Sequence, residues 1–187
     1  MDEGEKQAAG GERDADMLLV ATSRASALVR VRGRGSFKVG PALKQFGQSA
    51  IQGGCKHFII DMDECVGMDS TFMGVLAGLA GRLKHDTGGR MVMMNLSIKT
   101  LALLQTLGLD RVIETHLEGC ITGDLKKHLS DVVDMSALEG SFQDRKLTLE
   151  TMLAAHEDLI KVSPDNLPKF KNVMAYLSAD LKQFEGA

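Results

Sequence analysis

Residues 57–81, HFIIDMDECVGMDSTFMGVLAGLAG, decide how the chain is read. An apolar run from His57 to Asp61 gives way to an acid-rich stretch and then to Asp69, Ser70 and Thr71. Beyond them Met73, Leu76, Leu79, Ala80 and Leu83 return at helical intervals. The pattern predicts a short strand, a loop and a helix capped by Asp69 or Ser70. Gly74, Ala77, Gly78 and Gly81 are small enough to let that helix press close to a sheet. Two chemistries compete for the stretch. Asp61 and Asp63 form an Asp-x-Asp pair at a strand end, where parallel sheets face their ligand crevice. Ser70 stands at a helix mouth, where a phosphate meets N–H donors and the positive helix end and adds about −1.5 to −2 charge.

The flanking sequence repeats the strand-then-helix cycle. DMLLVATS and SALVRVRGR read as two strands joined by a turn near Arg24 to Ser26. FKVGPALKQFGQSAIQGG reads as a helix with Pro41 near its start and Gly53-Gly54 as its stop, and CKHFIIDM as the strand entering the central stretch. RMVMMNL is a further strand, SIKTLALLQTLG a helix with Ser97 as cap and Gly108 as stop, and DRVIET a last strand. This alternation predicts an α/β unit with a mixed, mostly parallel sheet and helices packed against it. Residues 1–16 are polar and acid-rich and are expected to be a disordered tail, leaving 17–117 as the α/β unit and 118–187 as a C-terminal helical extension. Its two helical patterns lie near 143–161 and 164–184, with Ser163-Pro164 a sound start for the second. Their apolar stripes fit either intramolecular core or a partner surface, including a homodimer.

Composition narrows the classes. The chain has 187 residues, 44% hydrophobic and 25% charged, which suits a globular protein rather than a disordered or fibrous one. The acid-rich start lacks the features of a secretory signal and no run reaches membrane-spanning length, so a cytoplasmic protein without membrane contact is expected. Cys55, Cys65 and Cys120 are odd in number and widely spaced, the pattern of buried reduced thiols. Met91, Met93 and Met94 read as core filling. His57, His85, His116, His128 and His156 have no metal-ligand spacing, and neither a metal nor a cofactor is expected. The net charge of −3 is unevenly spread: no acid falls between Asp16 and Asp61, an interval holding Arg24, Arg30, Arg32, Arg34, Lys38, Lys44 and Lys56. The alternating arginines share one face of a strand, read as a solvated edge or as a surface for an acidic partner. Without interleaved aromatics, direct nucleic-acid binding is not expected.

FIIDMDEC resembles the first motif of haloacid-dehalogenase-like phosphatases. The resemblance implies Asp61 as nucleophile and Asp63 as acid/base around Mg²⁺. Glu64 and Cys65 stand where that family carries glycine and threonine. Ser97 and Lys99 or Lys126 can be fitted to later motifs, but the aspartate following Asp124 is too distant for the distal acidic one.

VGMDSTFMGVLAGL resembles the STAS family, most closely the bacterial anti-sigma-factor antagonists. There a strand leads into Asp-Ser-Ser or Asp-Ser-Thr and then a helix with an apolar-Gly-apolar pattern. Met68, Asp69, Ser70 and Thr71, then Met73, Gly74, Val75 and Leu76, stand in the corresponding places, and the resemblance spans residues 17–117. It implies a regulatory protein, not an enzyme, with Ser70 as phosphorylation site and Asp69, Ser70, Thr71, Met73 and Gly74 as partner-binding residues. Asp69 shapes the helix entrance, Thr71 is a neighbouring polar contact or minor acceptor, and Asp61 caps or orders the loop after its strand, a role open to Asp63 as well. The implied partners are a serine-kinase-type anti-sigma factor, which brings the ATP, and a phosphatase that resets Ser70. Phe72 departs from the family's usual glycine and leaves open a scaffold or sensor subunit that works without phosphorylation.

Overall fold

The computed structural model describes residues 16–23, 25–120, 122–123, 125, 134–138 and 144–185. The tail expected over 1–16 lies outside them apart from Asp16, as do Arg24, Asp124, Lys126 and His128. Asp16 is anchored: its carboxylate accepts from Arg34 N at 3.0 Å and Ser36 Oγ at 2.8 Å.

The elements begin with β1 (Met17–Thr22), β2 (Ser26–Gly35), α1 (Gly40–Gln52), β3 (His57–Asp61) and β4 (Cys65–Met68). They continue with α2 (Ser70–Thr87), β5 (Arg90–Leu96), α3 (Ile98–Thr106), β6 (Glu114–Leu117) and β7 (Ser136–Leu138). Helices α4 (Arg145–Val162) and α5 (Leu167–Glu185) close the described chain, with a 3₁₀ turn at Pro164–Asn166 between them. The sheet order is β6-β5-β3-β2-β1-β7, with β4 on the far half of β2. β2, β3, β5 and β6 run parallel, and β1 pairs antiparallel with both β2 and β7. The mixed, mostly parallel sheet with a C-terminal helical extension is therefore present.

Strand periodicity builds two cores. Ala27, Val29, Val31, Phe58, Ile60, Met91 and Met93 face the helices, while Leu28, Ile59, Val92 and Met94 form a second cluster on the opposite face with Leu125. Near-continuous apolar strands such as RMVMMNL are what two covered faces demand. The methionines fill core. β2 is central, not an edge, because both the hairpin and the parallel crossovers use it. Its ladder shifts register at Gly33, where φ is 72°, and this bend lets the second half of β2 reach β4.

Helix α2 is buried nearly all round. Phe72, Leu76, Leu79 and Leu83 have 0–2% exposure in the core beside the sheet, while α4 packs along the outward side of α2 and also touches α1. Ala155 and Leu159 of α4 belong to the same core cluster as the strands. The molecule is thus layered: sheet, then α1 and α2, then α4 with α5 against it. Gly74 and Gly78 of α2 face this outer layer rather than the sheet that the sequence pattern suggested. A side chain at Gly74 would collide with the Ala155 carbonyl and one at Gly78 with the Asp158 carboxylate, whereas Gly81 faces open space.

Candidate functional site at the mouth of helix α2

Asp69 fixes the helix entrance. Its backbone is extended, and its Oδ1 accepts from Phe72 N at 2.9 Å, satisfying one of the donors every helix start leaves open. Oδ2 accepts from Phe37 N at 2.7 Å, tying the entrance to the turn before α1. The following residue, Ser70, is half-buried and opens α2.

The Ser70 hydroxyl meets a residue from the other end of the chain. His156 Nε2 lies 3.0 Å from Ser70 Oγ, and His156 Nδ1 lies 2.7 Å from the Met152 carbonyl oxygen. A carbonyl only accepts, so Nδ1 carries the hydrogen, and in the neutral ring Nε2 is left to accept from Ser70 Oγ–H. The ring is 2% exposed and rests against Phe170 of α5, centroid to centroid 4.8 Å. Burial lowers its pKa from the ordinary histidine value, opposed by the Met152 hydrogen bond and the Asp69 charge. The neutral ring holds the serine hydroxyl as a donor, so Ser70 Oγ is the contact between the mouth of α2 and α4.

The other site residues separate clearly. Thr71 and Met73 are 3% and 5% exposed, and Gly74 is pressed against Ala155, so three of the five expected partner-binding residues lie beneath other elements. Phe72 is fully buried against Gly35, pointing away from the Ser70 face. The departure it represents is spent on core packing and adds no bulk outside.

Asp61 is structural. It is 2% exposed; Oδ2 accepts from Arg30 Nε at 2.8 Å, and Oδ1 from Asn95 Nδ2 at 2.8 Å and Asp63 N at 3.2 Å. A carboxylate sealed by three donors is not an available nucleophile, and Asp63 stays exposed beside it, which overturns the phosphatase reading. The bond to Asp63 N is the expected ordering of the loop. Asn95 adopts a positive φ of 58° while reaching Asp61. The arginine stripe is likewise engaged: Arg30 with Asp61, and Arg32 with Glu64 at 2.9 Å. Ser97 caps α3 through Thr100 N at 3.1 Å. Cys55 is buried as expected, but Cys65 is half-buried and Cys120 exposed; all are free, and burial pushes the Cys55 and Cys65 thiols up. Among the described residues no group of three or more His, Cys, Asp or Glu could hold a metal ion, and no helix is long and apolar enough to cross a membrane.

A mixed sheet with β4 leading through the capping Asp69 into a helix that Ser70 opens defines an α/β module. Residues 18–117 match the family model described as "Mlab, STAS domain", more than half of the sequence, and the chain belongs to the STAS-domain family. STAS domains are regulatory rather than catalytic. Among curated proteins no match was found. The solved structure of the anti-sigma factor antagonist SpoIIAA in its unphosphorylated form is 17% identical, covering 61% of this chain and 96% of that one with a TM-score of 0.48. The Bacillus SpoIIAA structure in the phosphorylated form is 19% identical over 61% and 98%, TM-score 0.47. An anti-sigma factor antagonist from Mycobacterium paratuberculosis is 22% identical over 65% and 97%, TM-score 0.49.

Proposed function

We propose that this STAS protein acts by partner switching, with Ser70 as the phosphorylated residue. The observation that carries the reading is Ser70 itself: a half-buried hydroxyl on the first residue of an 18-residue helix, immediately after the side-chain cap Asp69. The unphosphorylated chain binds a serine-kinase-type anti-sigma partner through Asp69, Ser70, Thr71, Met73 and Gly74. Phosphorylation by that partner places a dianion in the contact and breaks it, and a phosphatase restores the binding form. Localisation in the cytoplasm accords with an ATP-dependent kinase partner. Residues 17–117 act as the binding domain and 118–187 as its extension. Self-association through α5, where Leu167 and Tyr176 remain exposed, is a separate property open to a light-scattering measurement.

Incubation with MgATP and a lysate of the source cells, followed by phosphopeptide mass spectrometry with a Ser70→Ala control, tests the assignment. Phosphate on Ser70, missing from the control, supports it. An unmodified Ser70 peptide beside an active kinase favours the second reading, a scaffold or sensor subunit. That reading draws on the bond tying the Ser70 hydroxyl to buried His156.

A further inference from the structure

The face of α2 that a partner needs already has an occupant. Helix α4 crosses it at Gly74 and Gly78, where backbone and carboxylate approach too closely for any side chain on α2. It is fastened by the Ser70–His156 hydrogen bond, and the Thr71 methyl lies among α4 and α1 groups beside Gly40. We infer that α4 is an internal competitor for the partner-binding face of α2, so that a partner reaches Thr71, Met73 and Gly74, and a kinase reaches Ser70 Oγ, only when α4 lifts. This rests on the reading of Ser70 proposed above.

The seam has the chemistry of a surface that opens. Thr71, Thr148, Thr151 and His156 are buried in or beside it, and the Thr151 hydroxyl oxygen has no hydrogen-bond partner among the described residues. A permanent core rarely keeps an unpaired buried hydroxyl, whereas a face that alternates between helix and water or partner regains a bond on opening. A groove of about 660 Å³ runs alongside, lined by Lys44, Val75, Gly78, Arg82, Asp158 and Lys161, so the edge of the seam is open to solvent. The hairpin is pinned at its turn. Asn166 Nδ2 donates to Leu107 O at 3.0 Å and to Leu159 O at 2.9 Å, and Lys169 Nζ donates to Thr106 O at 2.8 Å. The bonds to Leu107 O and Thr106 O hold the pivot end to the end of α3, while the Ser70–His156 pair is the side-chain hydrogen bond at the other end among the described residues.

A reversible lock separates this inference from the function on which it rests. A Cβ built on Gly78 lies 3.7 Å from Asp158 Cβ, within the span of about 3.5–4.5 Å that a disulfide bridges. In full-length protein carrying Gly78→Cys, Asp158→Cys and Cys120→Ser, hydrogen exchange and Ser70 phosphorylation are compared with the bridge oxidised and reduced. Reduced protein is expected to exchange α4 amides about tenfold or more faster than those of β3 and β5, and oxidation to remove that difference. Oxidation is also expected to slow Ser70 phosphorylation about tenfold, with recovery on reduction. Protection of α4 equal to that of β3 and β5 in wild-type protein, or equal phosphorylation of both forms, overturns the inference. If neither form is phosphorylated the Ser70 assignment fails, while the exchange comparison still decides whether α4 opens. Should the bridge not close, Ala155→Leu serves instead, wedging α4 from its own side and leaving α2 native. Faster exchange confined to α4 and α5 supports the inference, and unchanged protection there overturns it.

Discussion

Asp69 carries the site on two hydrogen bonds, and its role was readable from sequence because a cap needs only a short polar side chain at a fixed distance before an apolar helix. Replacing it by alanine removes the side-chain acceptor that Phe72 N and Phe37 N share. Asp69→Ala is expected to cost about 1–2 kcal/mol in urea unfolding and to loosen Ser70 with it. Asp61 was legible only as a strand-end acid. That its partners are Arg30 and Asn95, 31 and 34 residues away, is a matter of tertiary placement. Asp61→Ala leaves the Arg30 guanidinium and the Asn95 amide without their acceptor, and since Arg30 is about one-third exposed the expected loss is about 1–3 kcal/mol. A Mg²⁺-dependent phosphatase activity abolished by Asp61→Asn without loss of stability would restore the enzyme reading. His156 was hidden for the same reason as Arg30. It lies 86 residues from Ser70, and a single histidine without metal-ligand spacing carries no signal of its partner until the fold brings the two together.

At the scale of elements, periodicity located the helices and long strands because an apolar face repeats over several turns or residues. Shorter pieces escaped it. β4 is CVGM and β7 is SAL, too brief for alternation to register. The last parallel strand begins later than DRVIET implies, because Leu109–Arg111 closes a 3₁₀ turn behind Gly108 at φ 76°. Of the small residues expected to press α2 against the sheet, Gly74 and Gly78 are close-approach positions but meet α4 instead, and Gly81 meets nothing, because spacing cannot say what approaches. Gly74 and Gly81 now test that distinction within one helix. Gly81→Ala meets open space and removes backbone freedom from the unfolded chain, so a gain of about 0.5–1 kcal/mol is expected. Gly74→Ala drives a methyl into the Ala155 carbonyl, and a loss of about 1–3 kcal/mol is expected. Paired urea titrations with opposite signs establish that α4, not the sheet, sets the constraint; two gains would detach α4 from the native packing.

For the whole molecule, the outermost layer makes stability depend on a buried imidazole. Burial holds the His156 pKa in the folded chain below the value of about 6.5 expected in the unfolded one, so below that pH the unfolded chain binds the proton first. Stability from this group is therefore intact above about pH 6.5, falls as pH drops, and levels off once the folded-state pKa has been passed. One proton limits the slope to about 1.4 kcal/mol per pH unit. The charge closest to the argument is Asp69, which favours the imidazolium and softens the loss without reversing it, because desolvation is the larger cause. Urea unfolding of wild type and His156→Gln at pH 7.5 and 5.0 isolates the contribution, since both proteins share every other titrating group. Wild type should lose more stability than the variant on acidification. A proton on Nε2 also removes the acceptor for Ser70 Oγ–H, so the same pH change should raise hydrogen exchange in α4 before it does so in β3 and β5. Parallel pH profiles for the two proteins would mean that the ring is open to solvent in the folded chain and that the Ser70 contact contributes nothing to holding α4 down.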